Sequence, residues 1–534
     1  GRDSAVTEHS TAEAEHPASP NAVTGSAGAR HRAVGAAVAT ATLVNIAVAV
    51  LAHHFPYGDV MNQLARYVLM ERFWFGAPPP GIVVHLTPTA YIGVDLVGVA
   101  LVHLFGPHAA LRILTAIALA LLPAGMYALI SVTAPPRREW ALAGALLGFN
   151  WFLIQGMINY AIGVGIVLFW FACWWPRRSA QSWPLRILLS IAAAGLLLIH
   201  LTTPLMALVV IWVDYALGLL SYADRSSNLR HRVFRSELVT CVTITAAVGV
   251  AWGVVLTSPG GANLVESFEF RGASMKLLEL GAPFFSFSLL QAGIMAALYG
   301  ICLIAFLYIN RARLRLDTFT ASAIVFLVLF IVFPQGSKVG GAMDIRWLLP
   351  AWLLPFCMTT REPSDAPRPW LRRALLAACV LNALVIWHYT RSADRLLAGF
   401  DVALEHVPPG TRLLAIISDH QPHPRVDPYA QYAFWHIIRN RGQVAGLWSY
   451  TGARDGDALL SYFRHFVVLH HLYLPAARWG TADFSPLDWQ RVDHDYDYII
   501  QAGDDERVAA ILSAHATATF HAGAMTVYNV TGSR

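Results

Sequence analysis

His53-His-Phe-Pro-Tyr-Gly-Asp-Val-Met-Asn-Gln-Leu-Ala-Arg-Tyr-Val-Leu-Met-Glu-Arg72 is the stretch on which the reading turns. It follows an apolar run at 34–52 that is preceded by Arg30 and Arg32. The run approaches bilayer-spanning length, and the charges before it put its start in the cytoplasm. The quoted stretch then lies outside. From Asp59 onward its pattern predicts an amphipathic helix along the interface. Leu64, Tyr67 and Val68 turn toward the membrane, while Asp59, Asn62 and Arg66 recur at i, i+3 and i+7 on one polar face. A carboxylate that opens such a helix is either a positioned base or a helix N-cap, and spacing alone leaves both readings open.

The rest of the chain fits this start. Of its 534 residues 56% are hydrophobic and only 13% charged, with a mean hydropathy of +0.50. Soluble domains carry about 25% charged residues, so a soluble enzyme and a disordered scaffold are both excluded. Further apolar runs lie near 89–105, 110–132, 139–153, 157–175, 186–203, 204–222, 237–256, 288–309, 318–334, 346–359 and 374–391, about twelve candidate spans with the first. Basic residues gather between them, at Arg137 and Arg138 and in the loops 176–188, 223–236, 310–317 and 360–373, where cytoplasmic loops carry them. The net charge of +5 is thus a topological signal and not a nucleic-acid one. The expectation is an α-helical polytopic bundle over 34–391, behind a disordered cytoplasmic tail at 1–33 and with an external loop at 54–88. A cytoplasmic start and an external C-terminus need an odd number of crossings, so either 89–105 or 139–153 is re-entrant, or the Arg137–Arg138 loop breaks the rule.

Beyond residue 395 the composition turns polar. Thr411-Arg-Leu-Leu-Ala-Ile-Ile417 reads as a strand after a Pro-Pro-Gly turn. Residues 427–441 read as a helix with Asp427 as cap and Pro428 in its first turn. A strand at 496–500, a helix at 504–515 and a strand at 524–530 complete a small external α/β domain, 395–534.

Several other residues carry potential chemistry. Asp95 sits within an apolar segment, where a carboxylate turns to a partner or a cavity. It is either a second site acid facing Asp59 or a member of an interhelical hydrogen bond. Lys338, Asp344 and Arg346 occupy a Gly-rich external loop, placed to clamp a phosphate near the membrane surface, with an Asp344–Arg346 salt bridge as the alternative. The loop at 258–286 either adds Glu266, Glu269, Arg271 and Lys276 as polar wall, with Phe268 and Phe270 as faces for a sugar or lipid, or is a solvated loop whose Glu and Arg satisfy each other. Asn159, Tyr160 and His200 read as packing devices between helices or as cavity lining. The five cysteines lie in or beside apolar runs and read as packing residues. His420 and His423 are split by a Pro, and His470 and His471 are adjacent on a strand-like segment and point apart, so metal binding is not expected.

The runs Gly58-Asp-Val-Met-Asn-Gln-Leu-Ala-Arg66, Tyr91-Ile-Gly-Val-Asp95-Leu-Val, Gly156-Met-Ile-Asn-Tyr-Ala-Ile-Gly163 and Gly341-Ala-Met-Asp-Ile-Arg346 resemble a bacterial group within the GT-C glycosyltransferase superfamily. So does the order of a first span, a long external loop opening with an acid, a short-looped bundle and an external α/β domain. The resemblance implies a multi-pass protein of the bacterial inner membrane, with the C-terminal domain in the periplasm. It implies a sugar carried on polyprenyl phosphate as donor, a glycan or lipid as acceptor, and Asp59 as catalytic base or as ligand of a divalent cation. The paired acidic motif found in the second external loop of several superfamily members is not evident here.

Two functions from different classes follow. In the first, a membrane glycosyltransferase, Asp59 with Asp95 forms the acid pair and Asn62, Arg66, Lys338, Asp344 and Arg346 hold the substrate. In the second the chain is a catalytically silent GT-C-like subunit of a larger membrane assembly. A transporter ranks third, because intramembrane charge is scarce and no inverted repeat is visible.

Overall fold

The structure is a computed structural model that describes residues 20–77, 80–86, 90–179, 182–222, 228–257, 268–336, 341–359, 368–420, 425–447, 466–468, 472–475 and 487–530. It is an α-helical multi-pass bundle capped at one end by a small mixed sheet. Helix α1, Pro20–Val50, begins inside the stretch read as a disordered tail. Residues 20–33 are rich in alanine, the best helix former, and extending an existing helix needs no new nucleus.

Helix α2, Val60–Phe75, forms where a helix was expected, but Leu64, Tyr67 and Val68, expected on the membrane side, are buried within the protein, as are Asn62 and Arg66 of the expected polar face. Helix α3, Ile92–Phe105, is apolar enough to have been read as a span, yet it lies beside α2. A Cβ on Gly98 would sit 2.6 Å from the Tyr67 ring, and His103 Nδ1 is 3.0 Å from Glu71 Oε1. The Gly106 turn follows at φ +79°, and helix α4, Pro107–Thr133, then starts with His108 against Trp435 of the C-terminal domain, ring centroids 4.5 Å apart. Both ends of α3 therefore lie at the outer end of the bundle. It runs along the interface and does not cross.

The segment after α4 does cross, but not as a regular helix. It is broken into Pro135–Ala141, Leu142–Leu146 and Trp151–Ile154. Asn45 donates to Ala145 O at 2.7 Å and Asn382 to Leu146 O at 3.1 Å, while Gly58 and Asp59 meet its far end at Ile154 and Gln155. Residues 139–154 are buried throughout. Irregular backbone at membrane depth is tolerated only when protein surrounds it, and here the bundle encloses the whole segment.

Seven helices are long and apolar enough to cross a membrane. Three shorter apolar helices, Trp183–Leu198, Thr318–Val332 and Ile345–Cys357, and the broken segment lie among them. If each of these crosses, the described residues make eleven crossings, an odd number. The basic turns gather at one end: Arg178 pairs with Asp214, Thr318 donates to Asp214, and Arg315 donates to Thr359. Close approach of α4 to Ile158–Trp174 depends on missing side chains, since a Cβ on Gly125 would lie 2.7 Å from Gly165 O.

The helix Pro369–Leu404 runs the full depth of the bundle and delivers the chain into the outer domain. There β2 (Arg412–Ile417), β3 (Gln443–Val444), β5 (Tyr498–Ala502), β6 (Thr517–Ala522) and β7 (Met525–Asn529) form one sheet in the order β3-β2-β5-β7-β6. The first three are parallel and the last two antiparallel. Leu414, Ile416, Ile499 and Tyr528 face Val492, Val508 and Leu512 across it. A second, two-stranded sheet pairs β1 (Ile82–Val84) with β4 (Phe466–Val468) and ties the first external loop to the outer domain. The helix expected over 427–441 is shorter, a turn followed by Tyr432–Phe434 and Trp435–Asn440.

Opposite ends are a testable consequence of eleven crossings. In sealed oriented vesicles, Asp504→Cys and Ala312→Cys should react with an impermeant thiol reagent from opposite sides. Labelling of both from the same side would contradict the count.

Candidate active site at the outer end

The site is built on a backbone contact. Gly58 N donates to Ile154 O at 3.1 Å, and Asp59 N donates to Gln155 O at 2.7 Å. Gln63 Nε2, one turn on, donates to Gly156 O at 2.7 Å. The chains are too close for side chains: a Cβ on Gly58 would be 2.6 Å from Gln155 O, and one on Gly156, at φ +89°, would be 2.5 Å from Val60 N. Only glycine fits either position.

This contact fixes the start of α2 and leaves the Asp59 side chain free of the usual duty. Asp59 occupies the N-cap position without making a capping hydrogen bond. Among the described residues its carboxylate has no hydrogen-bond or ion-pair partner. It keeps some accessible surface although protein surrounds it, as a group lining an internal cleft does. Burial pushes its pKa up to about 7, against the lowering pull of the Arg346 guanidinium.

Arg346, whose charge acts on Asp59, lies in the turn Ile345–Trp347 that follows the Gly-rich loop. Two residues earlier Asp344, fully buried, pairs with Lys276 and accepts from Ile345 N at 2.8 Å. Lys276 also donates to Phe330 O at 2.8 Å and Phe333 O at 3.1 Å. Trp347 is buried and stacks on Phe326, centroids 5.8 Å apart. Held between these anchors, the Arg346 side chain makes one long contact, Nη2 to Gly341 O at 3.4 Å, and its buried Nε has no partner. Asp344 is thus the partner of Lys276, and the alternative Asp344–Arg346 salt bridge does not form.

Tyr160 and His200 close the same space. The Tyr160 hydroxyl donates to the Arg346 carbonyl oxygen, and the rings of Tyr160 and Tyr91 each stand 5.1 Å from the His200 ring. Burial, with Arg346 nearby, holds the His200 imidazole well below the ordinary histidine range. His200 Nδ1 accepts from Thr202 N at 3.2 Å, which places the remaining proton on Nε2. In sequence Tyr160 and His200 read as packing devices between helices or as cavity lining, and only Tyr160 lies in the Gly156–Gly163 run.

The other sequence candidates lie elsewhere. Arg66 and Asp95 form an ion pair with each other, and neither side chain has accessible surface. The pair joins α2 to α3 and does not line the cleft. Asn62 is buried and donates to Gln431 Oε1 and Gly446 O, both at 3.0 Å, linking α2 to the outer domain. Arg271 pairs with Glu279. Phe268 and Phe270 are exposed on either side of Glu269, which bridges to Gly336. Lys338, Glu266, His423, His470 and His471 lie outside the described residues.

No protein-family model matches the chain, and no curated protein matches it. Two solved structures do. The structure of ArnT from Cupriavidus metallidurans in the apo state superposes with a TM-score of 0.52 at 14% identity, over 96% of this chain and 99% of that one. The structure of the same protein bound to undecaprenyl phosphate gives a TM-score of 0.51 at 13% identity, over 94% and 98%. The chain shares the fold of these ArnT structures.

The Arg66–Asp95 pair makes a prediction separable from catalysis. Arg66→Met strands a buried carboxylate and should destabilise the protein by about 3–5 kcal/mol, whereas Arg66→Met with Asp95→Leu should recover most of that loss. Thermal unfolding of the three proteins in one detergent measures it. No recovery in the double variant would show that the charges do more than satisfy each other.

Proposed function

We propose that this chain is a membrane glycosyltransferase that moves a sugar from a polyprenyl-phosphate donor to an acceptor hydroxyl at the outer end of the bundle. The observation that carries the reading is an unbonded carboxylate, Asp59, within electrostatic reach of an under-bonded guanidinium, Arg346. A structural role would use up the hydrogen-bonding capacity of these groups. The fold supports the reading, and the ArnT neighbour holds a lipid phosphate of the class proposed here.

In this mechanism the acceptor hydroxyl binds against Asp59 and loses its proton to it as the oxygen attacks the anomeric carbon. The new C–O bond forms while the bond to the lipid phosphate breaks, with inversion. The departing phosphate gains negative charge, and Arg346 Nε–H and the rest of its guanidinium donate to it. Arg346 also holds that phosphate in the ground state. Neutral His200 adds no positive charge, so donor binding rests on Arg346 and on any contribution from Lys338. The outer domain, hydrogen-bonded to α2 through Asn62, forms the roof over the acceptor.

A divalent cation fits this site poorly. Among the described residues no three His, Cys, Asp or Glu side chains converge, and the charged neighbour of Asp59 is a cation. No step here uses one. The basic turns support a cytoplasmic position for their end of the bundle, and with it a site on the periplasmic face of the bacterial inner membrane. A catalytically silent subunit is the second reading, favoured by the burial of Asp95 in its ion pair, which leaves Asp59 as the one acid of the expected pair in the cleft.

A raised pKa has opposite consequences for stability and for rate. The folded state binds the Asp59 proton more tightly than the unfolded chain, so this stabilisation is complete below the ordinary value of 3.8 and fades as pH rises through about 7. The base must be ionised, so kcat/KM should rise with pH to a plateau above about 7 and fall roughly tenfold per unit below it. Asp59→Asn should lower transfer by about 10²–10⁴-fold with donor binding retained. Arg346→Ala should weaken donor binding and slow the chemical step together. Sugar transfer from a polyprenyl-phosphate donor pool in membranes measures all three. Because Asn caps as well as Asp, unchanged transfer by Asp59→Asn would refute the base, and no transfer by the unaltered chain across a broad donor panel would favour the silent subunit.

A further inference from the structure

The opposite, basic end of the bundle carries a groove that the chemistry at the outer end does not use. It lies where Leu289–Asn310 ends and Thr318–Val332 begins, with a volume of about 330 Å³. Phe306, Leu307, Leu316 and Met358 are among its walls, with Arg315 and Thr320 as its polar groups. Leu307 and Leu316 are 41% and 61% exposed, so the groove opens sideways onto the face that a bilayer covers.

Three features distinguish it from ordinary lipid-facing surface. Arg315 is pre-oriented: its Nη2 donates to Thr359 O at 2.7 Å and to Thr359 Oγ1 at 2.8 Å, which leaves Nε and Nη1 without a protein partner among the described residues. Asp317 forms no ion pair with it among the described residues, its carboxylate accepting instead from Thr320 N at 3.0 Å and from Thr359 N. And Thr320 Oγ1 on the groove wall is buried with no hydrogen-bond partner, an arrangement that costs free energy unless something fills it. A second cation, Arg311, stands exposed over the Tyr308 ring at 4.4 Å.

We propose that this groove binds an anionic phospholipid. Its acyl chain lies along Phe306, Leu316 and Met358, its phosphodiester accepts from Arg315 Nε and Nη1, and a glycerol ester oxygen accepts from the Thr320 hydroxyl. A guanidinium held at one nitrogen presents its remaining N–H groups in the planar fork that phosphate oxygens match. Basic pockets between membrane helices at a cytoplasmic surface select anionic headgroups. A zwitterionic lipid offers the same phosphate, but Arg315 and Arg311 repel its ammonium group.

The test is native mass spectrometry of the full chain extracted from vesicles with equal phosphatidylglycerol and phosphatidylcholine. Phosphatidylglycerol should be retained in preference. Arg315→Gln should cut that retention about fivefold, the worth of one cation near an anionic surface. Leu316→Glu, an exposed wall position brought to the headgroup's own charge, should cut it as well, while Arg439→Gln in the outer domain should not. Inorganic phosphate added to the extract should not displace the lipid. Equal retention of the two lipids, or full retention by Arg315→Gln, would overturn the proposal. Displacement by inorganic phosphate would overturn it too, by making the groove a site for free anions.

Discussion

The close passage of two backbones, Gly58–Asp59 against Gln155–Gly156, is the constraint on which the outer end depends. Two amide hydrogen bonds and a glutamine amide secure it, and two glycines make it sterically possible. Its first consequence concerns Asp59. A carboxylate at a helix N-terminus ordinarily turns back to bond the first free amides. Here Asp59 makes no such bond, and its charge is exposed to a cleft where burial raises the cost of ionisation and Arg346 lowers it.

Each half of the site rests on a buried ion pair in a place where the sequence shows only isolated charges. Arg66–Asp95 joins the two interfacial helices, and Lys276–Asp344 pins the loop that carries Arg346. Buried pairs add little net stability, but breaking one leaves an uncompensated charge. In the Lys276–Asp344 pair further hydrogen bonds to the carbonyls of Phe330 and Phe333 and from Ile345 N offset the desolvation. The result is a rigid frame around two groups, Asp59 and Arg346, that are left under-bonded.

Much of this was legible in the sequence. The hydropathy pattern and the basic loops specify a multi-pass bundle with one polar end domain, and the odd-crossing requirement already marked 89–105 or 139–153 as anomalous. Which of them failed to cross was not legible, because α3 is as apolar as a true span and only its contacts with Tyr67 and Glu71 reveal that it lies flat. Asp59 and Arg346 were legible as candidates because one opens the helix of the first external loop and the other follows a Gly-rich loop. The partner of Asp344 was not, since Lys276 lies 68 positions away and Arg346 was the nearer cation. Tyr160 and His200 were seen but read as packing, because in an apolar segment the two roles have the same sequence pattern. Strand β6, Thr517-Ala-Thr-Phe-His-Ala522, was missed because it is a largely exposed edge without the apolar alternation of a buried strand.

The central claim is that the cleft between Asp59 and Arg346 receives a lipid phosphate. A structure of this chain solved with a polyprenyl phosphate bound tests it most directly. The account predicts phosphate density against Arg346 Nε, with the Asp59 carboxylate facing the acceptor side of the same cleft and the Arg66–Asp95 pair unchanged. Phosphate density on Arg66 with that pair broken, or lipid bound away from Arg346, would contradict it.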